Sequence, residues 1–238
     1  MKKRAVLTFT VLSVLAATVG SAQPNAVSVD GAFADWSDEY CKPDPGACDD
    51  FPNQQDTKGA CIASNLAATT PSPANTVYLR FDFDDTGLNG GNTGDACWLV
   101  DSDQDGNANR ALCMEVTGNP FNTLQSFLYD CNDSSASCGG AVLSGTQAQT
   151  CAFTSALAAG QQLECSAGDP GDTAVECSIP VANLGWASGN IVLLSGCTFG
   201  SPQPNSAEHD CATSDGPFVI DPAGGGNTPV ALLEVSVD

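Results

Sequence analysis

One histidine, seven lysines and arginines, two methionines and three tryptophans are all that 238 residues offer of those types. Each scarcity closes a class of function. Copper or zinc chemistry built on several imidazoles has no ligand set when His209 stands alone. A serine-histidine-aspartate triad would have to use that same residue, which sits between Glu208 and Asp210 in a polar loop, and no Gly-x-Ser-x-Gly turn presents a serine. Haem held between histidine and methionine would have to draw on His209 and Met114. Cysteine pairs spaced Cys-x-x-Cys are absent, which argues against zinc and iron-sulfur sites. So few cations exclude nucleic acid as a partner. Helical periodicity is confined to Cys61–Ala68 and short turns near Ser155–Ala159 and Ala182–Leu184. No transmembrane segment is expected, because the longest apolar run falls short of the roughly 20 residues a spanning helix needs.

That run has another reading. Lys2, Lys3 and Arg4 precede an uncharged apolar stretch from Ala5 to Val19, and Gly20, Ser21 and Ala22 follow. The order is that of a secretory signal peptide over residues 1–22, cleaved near Ala22. The expected product is secreted, periplasmic or displayed at the cell surface, with residues 23–238 forming a single domain. The leader holds three of the seven basic residues and none of the 28 acidic ones, leaving 4 against 28, a formal charge of −24. Such an excess repels itself unless cations offset it.

Apolar and polar residues alternate in Thr76–Asp84, where Val77, Leu79, Phe81 and Phe83 share one face and Tyr78, Arg80, Asp82 and Asp84 the other. Shorter segments of the same kind recur at Ala26–Val29, Ala96–Val100, Ala111–Val116, Leu124–Tyr129, Ala174–Ile179, Ile191–Leu194, Phe218–Ile220 and Val230–Val237. Turn residues separate them, including the loops at Thr69–Asn75 and Asp221–Asn227. Many short strands with turns between them predict an all-β antiparallel sandwich or barrel with long loops.

The segment Asp101-Ser-Asp-Gln-Asp-Gly-Asn-Ala-Asn109 places an oxygen-bearing side chain at every second position and a glycine after the third aspartate. Calcium prefers hard oxygen ligands, and a tightly turning backbone can aim Asp101, Asp103 and Asp105 at one point while Gly106 takes the bend. Asn107 and Asn109 are further candidate ligands, and Asp82, Asp84 and Asp85 weaker ones. The loop departs from an EF-hand, because the twelfth position is Leu112 and the flanks read as strands. The expected cofactor is Ca²⁺.

Twelve cysteines in an exported chain predict up to six disulfides. Cys97 and Cys113 are equidistant from Asp105, so a hairpin of Ala96–Val100 with Ala111–Val116 sets them face to face at the base of the loop. Proximity along the chain suggests Cys41–Cys48, Cys131–Cys138, Cys151–Cys165 and Cys197–Cys211, which leaves Cys61 with Cys177.

Val29-Asp-Gly-Ala-Phe-Ala-Asp-Trp36 resembles the opening signature of family 9 carbohydrate-binding modules and the related DOMON-like sandwiches. Val77-Tyr-Leu-Arg-Phe-Asp82 is similar to an internal strand of that family. Val175-Glu-Cys-Ser-Ile-Pro-Val-Ala-Asn-Leu-Gly185 resembles its late Glu-x-x-Ile-Pro element. The resemblance spans most of Ala26–Val237 and implies a jelly-roll-like β-sandwich, often with structural calcium, and a carbohydrate ligand. Sugar stacking would fall to Trp186 or Trp98, whereas Trp36 belongs to the opening motif and has a packing role. The expected function is therefore non-catalytic: a calcium-stabilised surface module binding carbohydrate or an envelope protein. A structural subunit of an extracellular assembly is the alternative. A glycoside-processing enzyme is the remaining reading, since two carboxylates suffice for that chemistry.

Overall fold

The computed structural model describes residues 27–36, 41–44, 56–64, 76–83, 93–118, 121–158, 160–161, 163, 172–186, 191–204, 208–212, 218–221 and 226–228. The leader, Cys48, Cys165, Asp84, Asp85, the Thr69–Asn75 loop and the Val230–Val237 strand lie outside the described residues. In chain order the strands are β1 (Cys41–Pro43), β2 (Thr57–Ser64), β3 (Thr76–Phe83), β4 (Thr93–Asp101), β5 (Arg110–Gly118), β6 (Phe121–Asp130) and β7 (Val142–Leu143). They continue with β8 (Thr150–Thr154), β9 (Thr173–Pro180), β10 (Ile191–Phe199), β11 (Glu208–Cys211), β12 (Phe218–Asp221) and β13 (Gly226–Thr228). A five-stranded sheet is ordered β1-β2-β3-β9-β8, and an eight-stranded sheet β13-β12-β10-β4-β5-β6-β7, with β11 also pairing β10. Neighbouring strands in both sheets run antiparallel. The protein is an all-β, disulfide-rich sandwich.

Period-two alternation builds the space between the sheets. Ile62, Leu79, Phe81, Phe83, Val175 and Ile179 come from the smaller sheet, and Trp98, Val100, Leu112, Met114, Leu128 and Leu193 from the larger. Trp98 is fully buried, stands edge-on to Phe81 with ring centroids 6.4 Å apart, and donates its indole N–H to the Arg80 carbonyl at 3.0 Å. Burying so large a ring with its one donor satisfied ties the two sheets together.

The outer faces are covered too, which the alternation in Thr76–Asp84 does not reveal. Arg80 and Asp82, expected on a solvated face, are buried. The Arg80 guanidinium grips Asp82 through Nε at 2.7 Å and Nη2 at 2.6 Å, and lies 5.0 Å from the centre of the Phe33 ring. Val27, Phe33, Trp36, Leu157 and Leu163 close over this face against Cys61, Ala63 and Ala174. Beneath the same cover Lys58 pairs with Asp172 at 3.2 Å. Asp82 is thereby corrected from a candidate calcium ligand to the anionic half of a buried ion pair. Two local expectations also change. Cys61–Ser64 is strand rather than helix, because a run this short cannot nucleate a helix against a ladder already formed by β3. Val27–Val29 lies outside any strand and serves as part of the cover.

Among the described residues five disulfides join Cys41 to Cys61, Cys97 to Cys113, Cys131 to Cys138, Cys151 to Cys177 and Cys197 to Cys211. All but Cys131–Cys138 connect residues directly opposed in neighbouring antiparallel strands. The pairings Cys41–Cys48, Cys151–Cys165 and Cys61–Cys177 are corrected. Strand pairing brings Cys41 within 4.0 Å of Cys61 and Cys151 within 4.1 Å of Cys177 by Cα, although 20 and 26 residues separate them along the chain.

At Gly196 of β10 the larger sheet comes so near β2 that an added Cβ would stand 2.5 Å from the Ala60 Cβ. Overpacking of this kind costs about 1–3 kcal/mol. Gly196→Val is expected to lower stability by about 2–3 kcal/mol in urea unfolding, and a midpoint equal to that of the parent protein would refute this account of the contact.

Candidate metal centre

Strands β4 and β5 stay in register from Thr93↔Thr117 to Val100↔Arg110, so the chain beyond must reverse within a few residues. Asp101, the last residue of β4, is buried, and its carboxylate organises that reversal. Its Oδ1 accepts the backbone N–H groups of Asp103 at 3.1 Å and Gln104 at 2.6 Å, and its Oδ2 accepts that of Gly106 at 2.9 Å. Gln104 and Gly106 take positive φ of 68° and 89°, and the glycine sits where the bend is tightest. The turn gathers one carboxylate oxygen from each of Asp101, Asp103 and Asp105 to within 4.8 Å of one another. Asp103 and Asp105 are exposed, so an ion held there would be reached from solvent.

The two asparagines play different parts. Asn107 donates its backbone N–H and side-chain amide to Asp105 at 2.8 and 2.9 Å, which holds that carboxylate in place. Asn109 accepts from the Ser102 backbone and hydroxyl with its Oδ1, at 2.6 and 3.0 Å. Its oxygen is thus engaged as a brace across the mouth of the loop, and its amide reaches Asp133 Oδ1 at 2.9 Å.

Asp133 is a residue that the spacing of the aspartate loop does not single out. It lies in the connection after β6 that the Cys131–Cys138 bridge closes. Two backbone hydrogen bonds, Ala108 N–H to Ser135 O at 2.8 Å and Cys131 N–H to Asn109 O at 3.0 Å, stitch that connection to the aspartate loop. The Asp133 carboxyl is pushed above the ordinary aspartate range, first by loss of solvation and then by the negative charges of Asp105, Asp103 and Asp101. An Asn-Asp pair just inside a short cysteine-closed loop is the feature that would have pointed to it. A second acidic group joins Asp44, Asp56 and Asp210 at the ends of β1, β2 and β11. Asp210 there also accepts the Thr57 and Cys211 N–H groups at 2.7 and 2.8 Å. These three are too far apart in the chain to be gathered by spacing.

Neither tryptophan considered for sugar stacking stands free. Trp98 is corrected to a core residue, placed inward by β4's register, and Trp186 packs half-buried against the core beside the short turn Val181–Leu184. Trp36 is 9% exposed and donates its indole N–H to Glu176 Oε2 at 3.0 Å. Glu176 Oε1 accepts the N–H groups of Asp30 and Gly31 at 2.8 and 2.7 Å. One carboxylate thus latches the Asp-Gly turn and the tryptophan of the opening motif onto the Glu-x-x-Ile-Pro strand. Gly31 has φ of +81°, and a Cβ there would come within 3.1 Å of the Phe153 carbonyl oxygen, so the turn needs glycine.

No family model matches the chain, and no curated protein or solved structure matches it. Among the described residues no helix is long and apolar enough to cross a membrane.

Since Asp101 holds three loop N–H groups by itself, Asp101→Ala is expected to loosen the turn even in chelator. The cost should be about 1–3 kcal/mol, with faster amide hydrogen exchange at residues 103–106. Unchanged exchange in chelator would show that the loop keeps its shape without this carboxylate.

Proposed function

We propose that the chain is an exported, non-catalytic surface module whose β4–β5 loop holds calcium, and that it serves as a structural component of an extracellular or envelope assembly. The observation that carries this reading is the convergence of Asp101, Asp103 and Asp105 within 4.8 Å on a turn whose base is pinned by Cys97–Cys113. Closing the hairpin covalently reduces the conformational freedom that an ion must remove on binding. Calcium takes six to eight oxygens at about 2.3–2.6 Å, from carboxylates, carbonyls and water. Three carboxylates with Asp133 beside them supply the anionic part of such a shell. A protein of formal charge −21 over its full sequence gains from each divalent ion it neutralises.

Export is supported by the basic-then-apolar leader and by the disulfides, which persist in oxidising compartments. The structural role is favoured over carbohydrate recognition because Trp98 is enclosed and Trp186 is packed against the core, so the stacking faces that sugar binding would use are not on open display. The latch of Asp30, Gly31 and Trp36 on Glu176 joins two of the segments that carry the resemblance to family 9 modules, and a fold of that kind does not carry a ligand with it.

Calorimetry of the mature protein with calcium in excess and then with chelator tests the metal. At about 100 times the dissociation constant the gain is ~2.7 kcal/mol, a rise in Tm of roughly 5–10 °C for a chain of this size. Asp103→Ala and Asp105→Ala should erase most of that rise while leaving the chelated Tm nearly unchanged. Equal melting temperatures with and without calcium would rule the reading out.

A further inference from the structure

We propose that Asp95, opposed to Glu115 across β4 and β5 on the outer face of the larger sheet, keeps a proton that it donates to Glu115 and so acts as an acid-sensitive clamp on the central hairpin. The register places them directly opposite each other, and like charges so placed are destabilising. Asp95 is 7% exposed, and its Oδ1 has no hydrogen-bond donor. A buried carboxylate oxygen without a donor beside a second carboxylate is unfavourable on both counts. One proton resolves both: carried on Asp95 Oδ1, it is donated to Glu115, which removes the repulsion and satisfies the orphan oxygen. Two carboxylates alone offer too few oxygens for calcium, so the proton is the fitting ligand.

Among the described residues, the strands flanking the pair set no further charge directly opposite it. Gln125 on β6 stands opposite Glu115, and Thr93 hydrogen-bonds the Asp95 side chain. On the other side Thr198 of β10 pairs with Ala96, and Phe199 with Glu208 of β11, the next titratable group in that direction. Burial first, and then the charge of Glu115, push the Asp95 carboxyl up to about 6. Because the folded value lies above the unfolded one, the stabilisation is fully present below about pH 4 and is lost as pH rises through about 6. The pair lies six residues before Asp101 on β4, about 20 Å along the strand, so its titration is separate from that of the aspartate loop.

Thermal melts in chelator between pH 5 and 7.5 test the clamp. An acidic chain gains stability on acidification for general reasons, so the informative quantity is the difference between variants. Asp95→Asn, whose amide supplies a permanent donor without charge, should melt at least as high as the parent protein at pH 7.5. It should also remove about 3–6 °C of the parent's pH-dependent change in Tm. Glu115→Gln should move the Asp95 midpoint, read from its carboxyl ¹³C shift, down toward the ordinary aspartate value. An Asp95 midpoint unmoved by Glu115→Gln, or a pH dependence in Asp95→Asn equal to the parent's, would overturn the proposal. So would a calcium-induced rise in Tm that survives Asp103→Ala with Asp105→Ala and vanishes with Asp95→Asn, since the pair would then hold a cation.

Discussion

Register is the constraint on which the rest of this structure depends, and opposed cysteines hold it. Cys211, Cys197, Cys97, Cys113 and Phe127 form one row across β11, β10, β4, β5 and β6. Two disulfides lie side by side in that row. A slip of one residue would turn Trp98 outward and Cys97 inward and exchange every neighbour on both faces. The covalent bonds forbid it. The same register ends β4 at Asp101 and begins β5 at Arg110, which forces residues 102–109 into the closed loop where the aspartates meet.

A sandwich needs one apolar layer, and the described residues form three. Besides the layer between the sheets, the larger sheet carries Leu99, Ala111, Tyr129 and Phe199 on its outer face around the cysteine row, and the smaller sheet carries the cover of Val27, Phe33, Trp36, Leu157 and Leu163. Segments outside the strands pack over both outer faces, so polar strand residues that would otherwise meet water become buried. That change of environment explains why Arg80, Lys58, Asp82, Asp172 and Glu176 are arranged as ion pairs and hydrogen-bonded latches. Removing either partner of such a pair would strand a charge out of water.

What could be read in the sequence was what is local. Strand β3, the central hairpin, the bridge between Cys97 and Cys113 and the spacing of Asp101, Asp103 and Asp105 are each encoded within about 20 residues, where period and turn chemistry speak directly. The remaining features depend on pairings between distant segments. Cys41 meets Cys61 because β1 lies beside β2, and Cys151 meets Cys177 because β8 lies beside β9; neither adjacency leaves a mark in spacing. Asp133 reaches the aspartate loop only because β6 returns beside β5. Trp98 illustrates the same limit from the other side, since a tryptophan in a strand reads alike whether the face it occupies is core or surface.

The acidic composition requires that negative charges find compensation, and the means open to each carboxylate depend on how enclosed it is. Fully enclosed carboxylates have partners fixed by the fold: Asp82 has the Arg80 guanidinium, Asp172 has Lys58, and Glu176 has three N–H donors. Basic residues are too few to extend that solution to the surface. At the mouth of the β4–β5 loop the exposed Asp103 and Asp105 are drawn together beside the buried Asp101, a setting in which, on the proposed reading, an exchangeable divalent ion relieves repulsion without the desolvation cost of a buried salt bridge. Asp95 stands between these extremes, too enclosed for free hydration and opposite a like charge, and with only two carboxylates the smallest cation of all is the one that fits. On the readings proposed above, enclosure and the number of converging oxygens together decide whether a fixed cation, a metal ion or a proton does the compensating.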